Sequence, residues 1–168
     1  MAEFYKVSFE QFRDACKKEG VPFFSRSDDT IRNVYDLIKL PQRATGGSAG
    51  YDFFLPICAD FDSESEVLIP TGIGIKLDPG TFLMCVPRSG LGFKYGMRLL
   101  NTAGVIDEDY SCADNEGHIM TRIKSERPFS LFAGDRFIQG IIMNYRTVEH
   151  DKPIQDERSG GFGSTGGV

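Results

Sequence analysis

The hydrophobic and polar positions divide this chain into three stretches of different pattern. In the first forty residues, apolar side chains at positions 9, 12, 15 and 16 share one helix face, which predicts a short amphipathic helix. Ser8, followed three residues later by Gln11, is typical of a capping box at a helix start, and Gly20 and Pro22 end the helix. A second helical segment is expected around residues 29–39.

From residue 51 to about residue 149, short apolar runs alternate with turn residues at intervals of about 8–12 positions. The predicted strands are residues 67–69, 73–77, 81–86, 118–123 and 136–148. Proline, glycine and aspartate punctuate the runs, as at Asp78-Pro79-Gly80. This spacing favours an all-β sandwich or barrel over a doubly wound α/β sheet.

The third stretch begins after His150, where the apolar alternation ends. Residues 159–168 contain five glycines, and glycine loses more conformational freedom on ordering than any other residue. Considered alone, this composition predicts a disordered tail. Phe162 is the exception, because a solvated linker has little use for a large aromatic side chain.

Composition and charge limit the kinds of partner. A net charge of −5 argues against binding along a nucleic-acid backbone, although a local arginine and glycine-rich pocket can still bind a small phosphate compound. No apolar run is long enough to cross a membrane, and no basic-then-apolar signal pattern begins the chain. The four cysteines are far apart without a C-x-x-C pair, so we expect buried thiols in a cytoplasmic protein rather than a zinc site or disulfides.

Two polar, glycine-containing loops interrupt the strand pattern, at residues 44–52 and 87–92. Backbone N–H groups in such loops can form an anion-binding nest. In the second loop, Arg88 adds a positive charge and Ser89 a hydroxyl donor. Ordinary turns are the alternative for either loop considered alone.

The stretch that follows Asn101 carries the densest group of candidate residues. Val105 and Ile106 are an apolar pair that we expect to be buried, and three acids follow them directly. If the segment is extended, Asp107 and Asp109 share a face. A carboxylate beside a Mg²⁺-bound polyphosphate can deprotonate a water, and the Asn101 amide has the donor and acceptor needed to bind a base edge. Residue chemistry does not choose between the two aspartates, and an acidic hairpin tip is the alternative.

Five segments together resemble, in order and spacing, the motifs of the trimeric dUTPase family. They are residues 47–52, 87–91, 104–110, 134–139 and 158–166. The resemblance extends from about residue 40 to residue 168 and includes the glycine-rich tail.

The resemblance implies both a fold and an activity. The fold is all-β, a distorted jelly-roll β-barrel over residues 41–149. A flexible arm, residues 150–168, closes the active site. The helical extension, residues 1–40, is outside the motifs, and its amphipathic helix is expected to pack on the barrel. The implied activity is Mg²⁺-dependent hydrolysis of dUTP to dUMP and pyrophosphate, which keeps uracil out of DNA and supplies dUMP.

The resemblance also assigns roles to residues. Asp107 is the implied catalytic base, which activates a water for in-line attack on the α-phosphorus. Tyr110 is implied to lie beneath the deoxyribose, and Phe162 to stack on uracil. The implied substrate-binding residues are Arg88, Ser89, Gly90, Asn101, Val105, Ile106, Tyr110, Met120, Gln139, Arg158, Phe162, Gly163, Ser164 and Thr165.

The implied partners are dUTP and two further copies of the chain, in a homotrimer with shared active sites. Nucleic acid and membrane are not expected partners. Mg²⁺ is expected to be held chiefly by the phosphates, with Asp52 at most in its outer shell, so no direct protein ligand to the metal is predicted.

This sequence departs from the family pattern at residues 111–116, where the hairpin beside the base is longer, and in a tail that is one residue shorter. Two alternatives share the fold. A dCTP deaminase would need a glutamate in the strand after the hairpin, and residues 117–124 contain no carboxylate. A regulatory binding protein that retains the scaffold is the other alternative, and the sequence does not decide whether a regulatory partner exists.

Overall fold

The computed structural model describes residues 1–22 and 27–153, and within them the chain is mainly β with three α-helices. The helices are α1 (Phe9–Cys16), α2 (Asp28–Asp36) and α3 (Ser89–Tyr95). The strands are β1 (Glu3–Lys6), β2 (Gln42–Arg43), β3 (Gly50–Phe54), β4 (Ala59–Phe61), β5 (Val67–Pro70), β6 (Ile73–Lys76), β7 (Thr81–Pro87), β8 (Arg98–Leu99), β9 (Gly104–Ile106), β10 (Met120–Lys124), β11 (Phe129–Leu131) and β12 (Arg136–Asn144). A 3-10 helix covers Tyr110–Cys112.

Helix α1 forms where the sequence predicts it, because Ser8 caps it and one face is apolar. The Ser8 Oγ accepts the Gln11 N–H at 3.1 Å, which is one half of a capping box. The other half comes from a distant residue. Glu116 accepts the Ser8 N–H and the Ser8 hydroxyl, both at 2.6 Å. The fully buried face of the helix consists of Phe12, Ala15 and Cys16.

Helix α2 confirms the second expected helical segment. It begins after Ser27, whose Oγ accepts the Thr30 N–H at 3.3 Å, and two aspartates in its first turn suit the positive end of the helix dipole. Ile31 is fully buried, and the helix packs against α1.

The strands pair into antiparallel sheets. The largest has five strands in the order β2-β3-β12-β7-β9, and a second has three in the order β5-β10-β8. Strand β1 pairs with β6, and β11 pairs with β4. The predicted strands correspond to β5, β6, β7, β10 and β12, so a mainly β chain with an N-terminal helix is confirmed.

One apolar cluster joins the two larger sheets to α1. Its largest fully buried side chains include Phe53 of β3, Leu83 of β7 and Phe137 of β12 from the five-stranded sheet. Ile69 of β5 and Ile123 of β10 contribute from the three-stranded sheet. This common core holds β7, β10 and β12 in fixed relative positions, and these strands carry or border most of the candidate site residues.

The expectation of buried thiols is correct for two cysteines and wrong for two. Cys16 and Cys85 are buried, and burial raises the pKa of each thiol to about 12. Cys58 and Cys112 are exposed, and all four are free. Among residues 1–22 and 27–153, no helix is long and apolar enough to cross a bilayer.

Candidate functional site

A cluster of charged side chains lies where β7 ends, and we call Asp52, Arg88, Arg136 and Gln139 the basic cluster. Asp52 is 7% exposed, and its two carboxylate oxygens bind different arginines: Oδ1 contacts Arg88 Nε and Oδ2 contacts an Arg136 guanidinium nitrogen, both at 3.1 Å. One buried carboxylate therefore holds two guanidinium groups side by side. An arginine has five N–H donors, more than this pairing uses, so the cluster is suited to bind an anion.

Sheet pairing places Gln139 in the same cluster. Gln139 of β12 lies opposite Asp52 of β3 on one side and Val86 of β7 on the other. Its side chain covers Gly50, where an added Cβ would come within 2.5 Å of Gln139 Oε1. A glycine at position 50 therefore lets the Gln139 side chain lie against β3.

The loop predicted at residues 87–92 is in fact the start of helix α3. Arg88 is its N-cap residue, and the Leu91 N–H donates to the Arg88 carbonyl at 3.0 Å. Ser89 and Gly90 occupy the first turn, where backbone N–H groups have no partner within a helix. The structure thus brings Ser89 and Gly90 next to Arg88, but on a helix rather than in a nest.

A cavity of about 470 Å³ contains three of the predicted substrate-binding residues: Asn101, Ile106 and Met120. We call it the Asn101 cavity. It lies between the segments that carry β9 and β10, and most of its lining is apolar. Its polar lining residues are Asn101, Thr121, Lys18 and Arg122, of which only Asn101 was indicated by the sequence as a site residue. A largely apolar cavity with a few polar groups is typical of a site for a small organic ligand.

Tyr110, the residue implied to lie beneath the deoxyribose, is buried, with 4% of its surface exposed. Its hydroxyl donates to the His118 carbonyl at 3.2 Å and accepts from the Asn115 side-chain amide at 2.8 Å. Asn115 belongs to the longer hairpin at residues 111–116, so the departure from the family pattern fixes the ring of Tyr110. The adjacent Gly117 has φ +65°, and an added Cβ there would come within 2.8 Å of the Ser111 backbone.

His118 is a second feature that the sequence did not indicate. It is fully buried, and burial lowers the pKa of its imidazole to about 3, so the ring is neutral near pH 7. Its Nε2 accepts the Gly72 N–H at 2.9 Å, which places the proton on Nδ1. Nδ1–H can therefore donate to the side-chain amide of Gln11 in α1, 3.4 Å away, when the amide oxygen faces the ring. The ring thereby joins the N-terminal helix to the hairpin.

Asp107, Glu108 and Asp109 form a turn rather than an extended strand, and we call it the acidic turn. The Tyr110 N–H donates to the Asp107 carbonyl at 3.1 Å, which closes the turn. The Glu108 carboxylate accepts the Gly80 N–H at 2.6 Å. It also accepts from the Tyr145 hydroxyl, a bond that raises the pKa of Tyr145. Asp107 is exposed at one end of this anchored turn.

The expectation that Val105 and Ile106 are both buried is wrong for Val105. Ile106 is 9% exposed but Val105 is 59% exposed. The two side chains point to opposite faces of β9, as successive residues of a strand do.

The pairing register separates the basic cluster from the acidic turn. Ile106 lies opposite Leu83, so Asp107 follows at the start of β7, whereas Arg88 follows at its end. Five residues separate Leu83 from Arg88, a distance of roughly 17 Å along a strand. Within one chain, the structure therefore does not bring Asp107 together with Arg88, Ser89, Gly90 and Gln139.

The described residues do not form a metal-binding site from protein side chains alone. Within the two described ranges, no three His, Cys, Asp or Glu side chains are grouped so as to hold a metal. Both carboxylate oxygens of Asp52 are paired with arginines. This donor set fits an ion held mainly by the phosphates of a bound ligand. The predicted tail residues Arg158, Phe162, Gly163, Ser164 and Thr165 lie outside the described residues.

Comparison with known proteins gives a consistent result. The sequence profile of the dUTPase family matches residues 36–166. A deoxyuridine 5'-triphosphate nucleotidohydrolase of Lactococcus lactis is 37% identical over 133 residues, which is 77% of this chain and 89% of that protein. A dUTPase structure from Streptococcus mutans superposes with a TM-score of 0.59 at 35% identity, covering 66% of this chain and 88% of the other. The dUTPase of Staphylococcus aureus phage phi11, whose structure describes a bound structural Mg(II) ion, resembles this chain in fold at 16% identity, with a TM-score of 0.62 over 93% and 98% of the two chains.

Proposed function

This chain belongs to the dUTPase family of dUTP-hydrolysing enzymes, and we propose that it converts dUTP to dUMP and pyrophosphate at a site built from the basic cluster of one chain and the acidic turn of another. The observation that carries this proposal is the Asn101 cavity. It is lined by Asn101, Ile106 and Met120, three residues expected to bind substrate, and Asp107 follows Ile106 directly.

The proposed reaction is one in-line displacement. Asp107 accepts a proton from a water, and the water oxygen attacks the α-phosphorus. The bond from the α-phosphorus to the bridging oxygen then breaks, and pyrophosphate leaves with that oxygen. The basic cluster, with Ser89 and Gly90, binds the triphosphate, because paired arginines and helix-start N–H groups complement phosphate oxygens.

Mg²⁺, when bound to the phosphates, would supply charge neutralisation at the leaving group. Asp52 remains our candidate for a contact through water, since its two carboxylate oxygens already bind arginines. Removal of divalent ions with EDTA should therefore abolish activity, and added Mg²⁺ should restore it without refolding.

Base and sugar recognition are proposed for the hairpin side. The Asn101 amide and the backbone of residues 117–120 would bind the polar edge of uracil. Tyr110 would exclude a 2′-hydroxyl, because its ring cannot move: two hydrogen bonds hold the hydroxyl in place. Because Tyr110 is 4% exposed, alanine would also leave a cavity, so Tyr110→Phe and Tyr110→Leu are the variants to compare for dUTP-to-UTP preference.

The tail is proposed to close the active site. Residues 150–168 would close over the nucleotide, with Phe162 on uracil, Arg158, Ser164 and Thr165 on phosphate, and Gly163 between them. Residues 41–149 would form the jelly-roll barrel, with residues 1–40 as a packed extension. Phe162→Ala should weaken closure by about 1–3 kcal/mol, the value of one base–aromatic stack.

The direct test is pyrophosphate release measured with dUTP, dCTP, dTTP and UTP. We expect pyrophosphate release from dUTP to be much faster than from the other three nucleotides. An ammonia assay with dCTP tests the deaminase alternative, for which strand β10 supplies no carboxylate. Ammonia release, or equal rates on all four nucleotides, would contradict the proposal.

A homotrimer with shared sites is tested by mixing two inactive variants, Asp107→Ala and Arg88→Ala. These residues lie at opposite ends of β7, so a site that needs both takes them from two chains. Co-refolded trimers then contain sites with Asp107 from one variant and Arg88 from the other, and activity returns. If mixed trimers, confirmed by mass, stay inactive, each chain builds its own site.

A further inference from the structure

Lys18 lines the Asn101 cavity although it precedes the part of the chain that matches the family, residues 36–166. It lies just after α1, in the N-terminal extension. Asn101 and Met120, which are far from Lys18 in the sequence, line the same cavity. The extension therefore contributes a positively charged side chain to the space in which we place the base.

The backbone around Lys18 is fixed. The Lys18 N–H donates to the Ala15 carbonyl at 3.2 Å, and the Gly20 carbonyl accepts the Leu68 N–H of β5 at 2.8 Å. Ala15 itself is fully buried. The Cα of Lys18 is thus held at the cavity, while its side chain is exposed and can turn toward a ligand.

The two neighbouring lysines differ in their partners. Lys17 binds the Asp28 carboxylate of α2 at 2.8 Å. Among the described parts of the chain, no carboxylate lies within ion-pair distance of Lys18, and none lines the Asn101 cavity. The Lys18 ammonium, with three donors and no acceptor, is therefore available to an acceptor that enters the cavity.

The Asn101 cavity contains a second unused polar atom. Within residues 1–22 and 27–153, Thr121 Oγ1 is the one buried side-chain oxygen without a hydrogen-bond partner. Leaving a buried hydroxyl unpaired is unfavourable, so its place in the cavity wall points to a ligand with its own polar groups.

We propose that Lys18 binds substrate directly, donating a hydrogen bond to a carbonyl oxygen of the uracil ring. Uracil presents two carbonyl oxygens and one N–H, and the Asn101 amide can satisfy one oxygen and the N–H. A carbonyl oxygen has two lone pairs, so Lys18 adds a charged donor from the cavity wall to an oxygen that the hairpin backbone also contacts. This inference depends on the proposed function, because it takes dUTP as the ligand.

The test compares Lys18→Met with Lys17→Met. Both variants keep an apolar stem and lose one positive charge from the same exposed helix end. Lys18→Met should raise the KM for dUTP about tenfold and leave kcat within about twofold, because the lost hydrogen bond comes from a charged donor. Lys17→Met should match the wild-type protein in both constants.

Competitive inhibition by deoxyuridine separates a base contact from a phosphate contact. Deoxyuridine has the base and sugar without phosphates, so Lys18→Met should weaken its inhibition by the same factor as dUTP. A raised KM for dUTP with unchanged inhibition by deoxyuridine would assign Lys18 to phosphate and overturn the base contact. Equal constants in the two variants would overturn any substrate contact. If the wild-type protein releases no pyrophosphate from dUTP, the proposed function fails instead.

Discussion

The two ends of strand β7 hold their charged groups in opposite ways. At the end near Arg88, a buried carboxylate, Asp52, lies in the interior of the five-stranded sheet and binds two arginines. At the other end, Asp107 follows the short edge strand β9 on an exposed turn. The neighbouring side chain of Glu108 attaches that turn to Gly80 and Tyr145.

This difference shows how one fold separates binding from chemistry. The basic cluster is part of the sheet, so a change there should affect both stability and phosphate binding. The acidic turn is attached to the sheet rather than built into it, so a change there should affect rate with little effect on stability.

Asp107→Asn should lower turnover by about 10²–10⁴ while dUTP still binds, because asparagine cannot accept the proton from water. Single-turnover rates and equilibrium dUTP binding measure the two quantities separately. Asp109→Asn is the matched control and should stay active. An active Asp107→Asn with an inactive Asp109→Asn would transfer the role of base to Asp109.

Asp52→Ala should destabilise the fold by about 2–3 kcal/mol and weaken binding of dUTP. It leaves two guanidinium groups without their shared partner, and their partial exposure keeps the cost below that of a fully buried pair. Denaturant unfolding and KM for dUTP are the measurements. Asp14→Ala, which removes an exposed partner of Arg13, should change stability by less than about 1 kcal/mol. A stable Asp52→Ala with normal KM would show that the sheet alone positions Arg88.

His118 should make the hairpin side sensitive to acid. Burial lowers the pKa of its ring to about 3, while the unfolded chain binds the proton below about pH 6.5. Stability from this residue is therefore present above pH 6.5 and is lost as the pH falls toward 3. The loss is about 2 kcal/mol at pH 5.

The measurement is the free energy of unfolding of the wild-type protein and of His118→Gln at pH 7 and pH 5. Glutamine keeps an acceptor for the Gly72 N–H and does not titrate, so the difference between the two proteins should shrink at pH 5. A difference that is the same at both pH values would contradict a neutral buried imidazole.

Glu108→Ala should lower kcat about tenfold with little change in KM or melting temperature, because the turn loses its bond to Gly80 and no longer holds Asp107 in place. Glu108→Gln keeps an oxygen that accepts from Gly80 and should retain most of the activity. If both variants lose activity equally, the negative charge of Glu108 matters rather than its position.

Local sequence signals predicted the elements that depend on local interactions. The Ser8 cap and the apolar face at positions 9–16 gave α1, and alternating apolar residues gave β5, β6, β7, β10 and β12. Helix α3 was not predicted because Gly90 and Gly92 have low helix propensity, and because arginine is an unusual N-cap residue. Strand β1 has four residues and forms by pairing with β6, more than sixty positions away.

The sequence named candidate site residues but not their relative positions. Three of them, Asn101, Ile106 and Met120, line one cavity, and their roles stay predictions. The roles of Glu108, His118 and Lys18 depend on contacts with Gly80, with Gln11 and with the cavity, which residues far apart in the chain create. The turn at Asp107 was not predicted either, because three consecutive acidic residues do not distinguish a turn from a strand.

The bond between Ser8 and Glu116 has a consequence for the order in which the protein can form during synthesis. Helix α1 leaves the ribosome well before Glu116, because the carboxylate that completes its cap is made 108 residues later. At about 5–20 residues per second, that interval is roughly 5–20 s. A helix of eight residues is not stable alone in water, so α1 gains the stability that its Glu116 cap provides only after the hairpin has been made. Helix α1 is thus translated long before the residue that completes its cap.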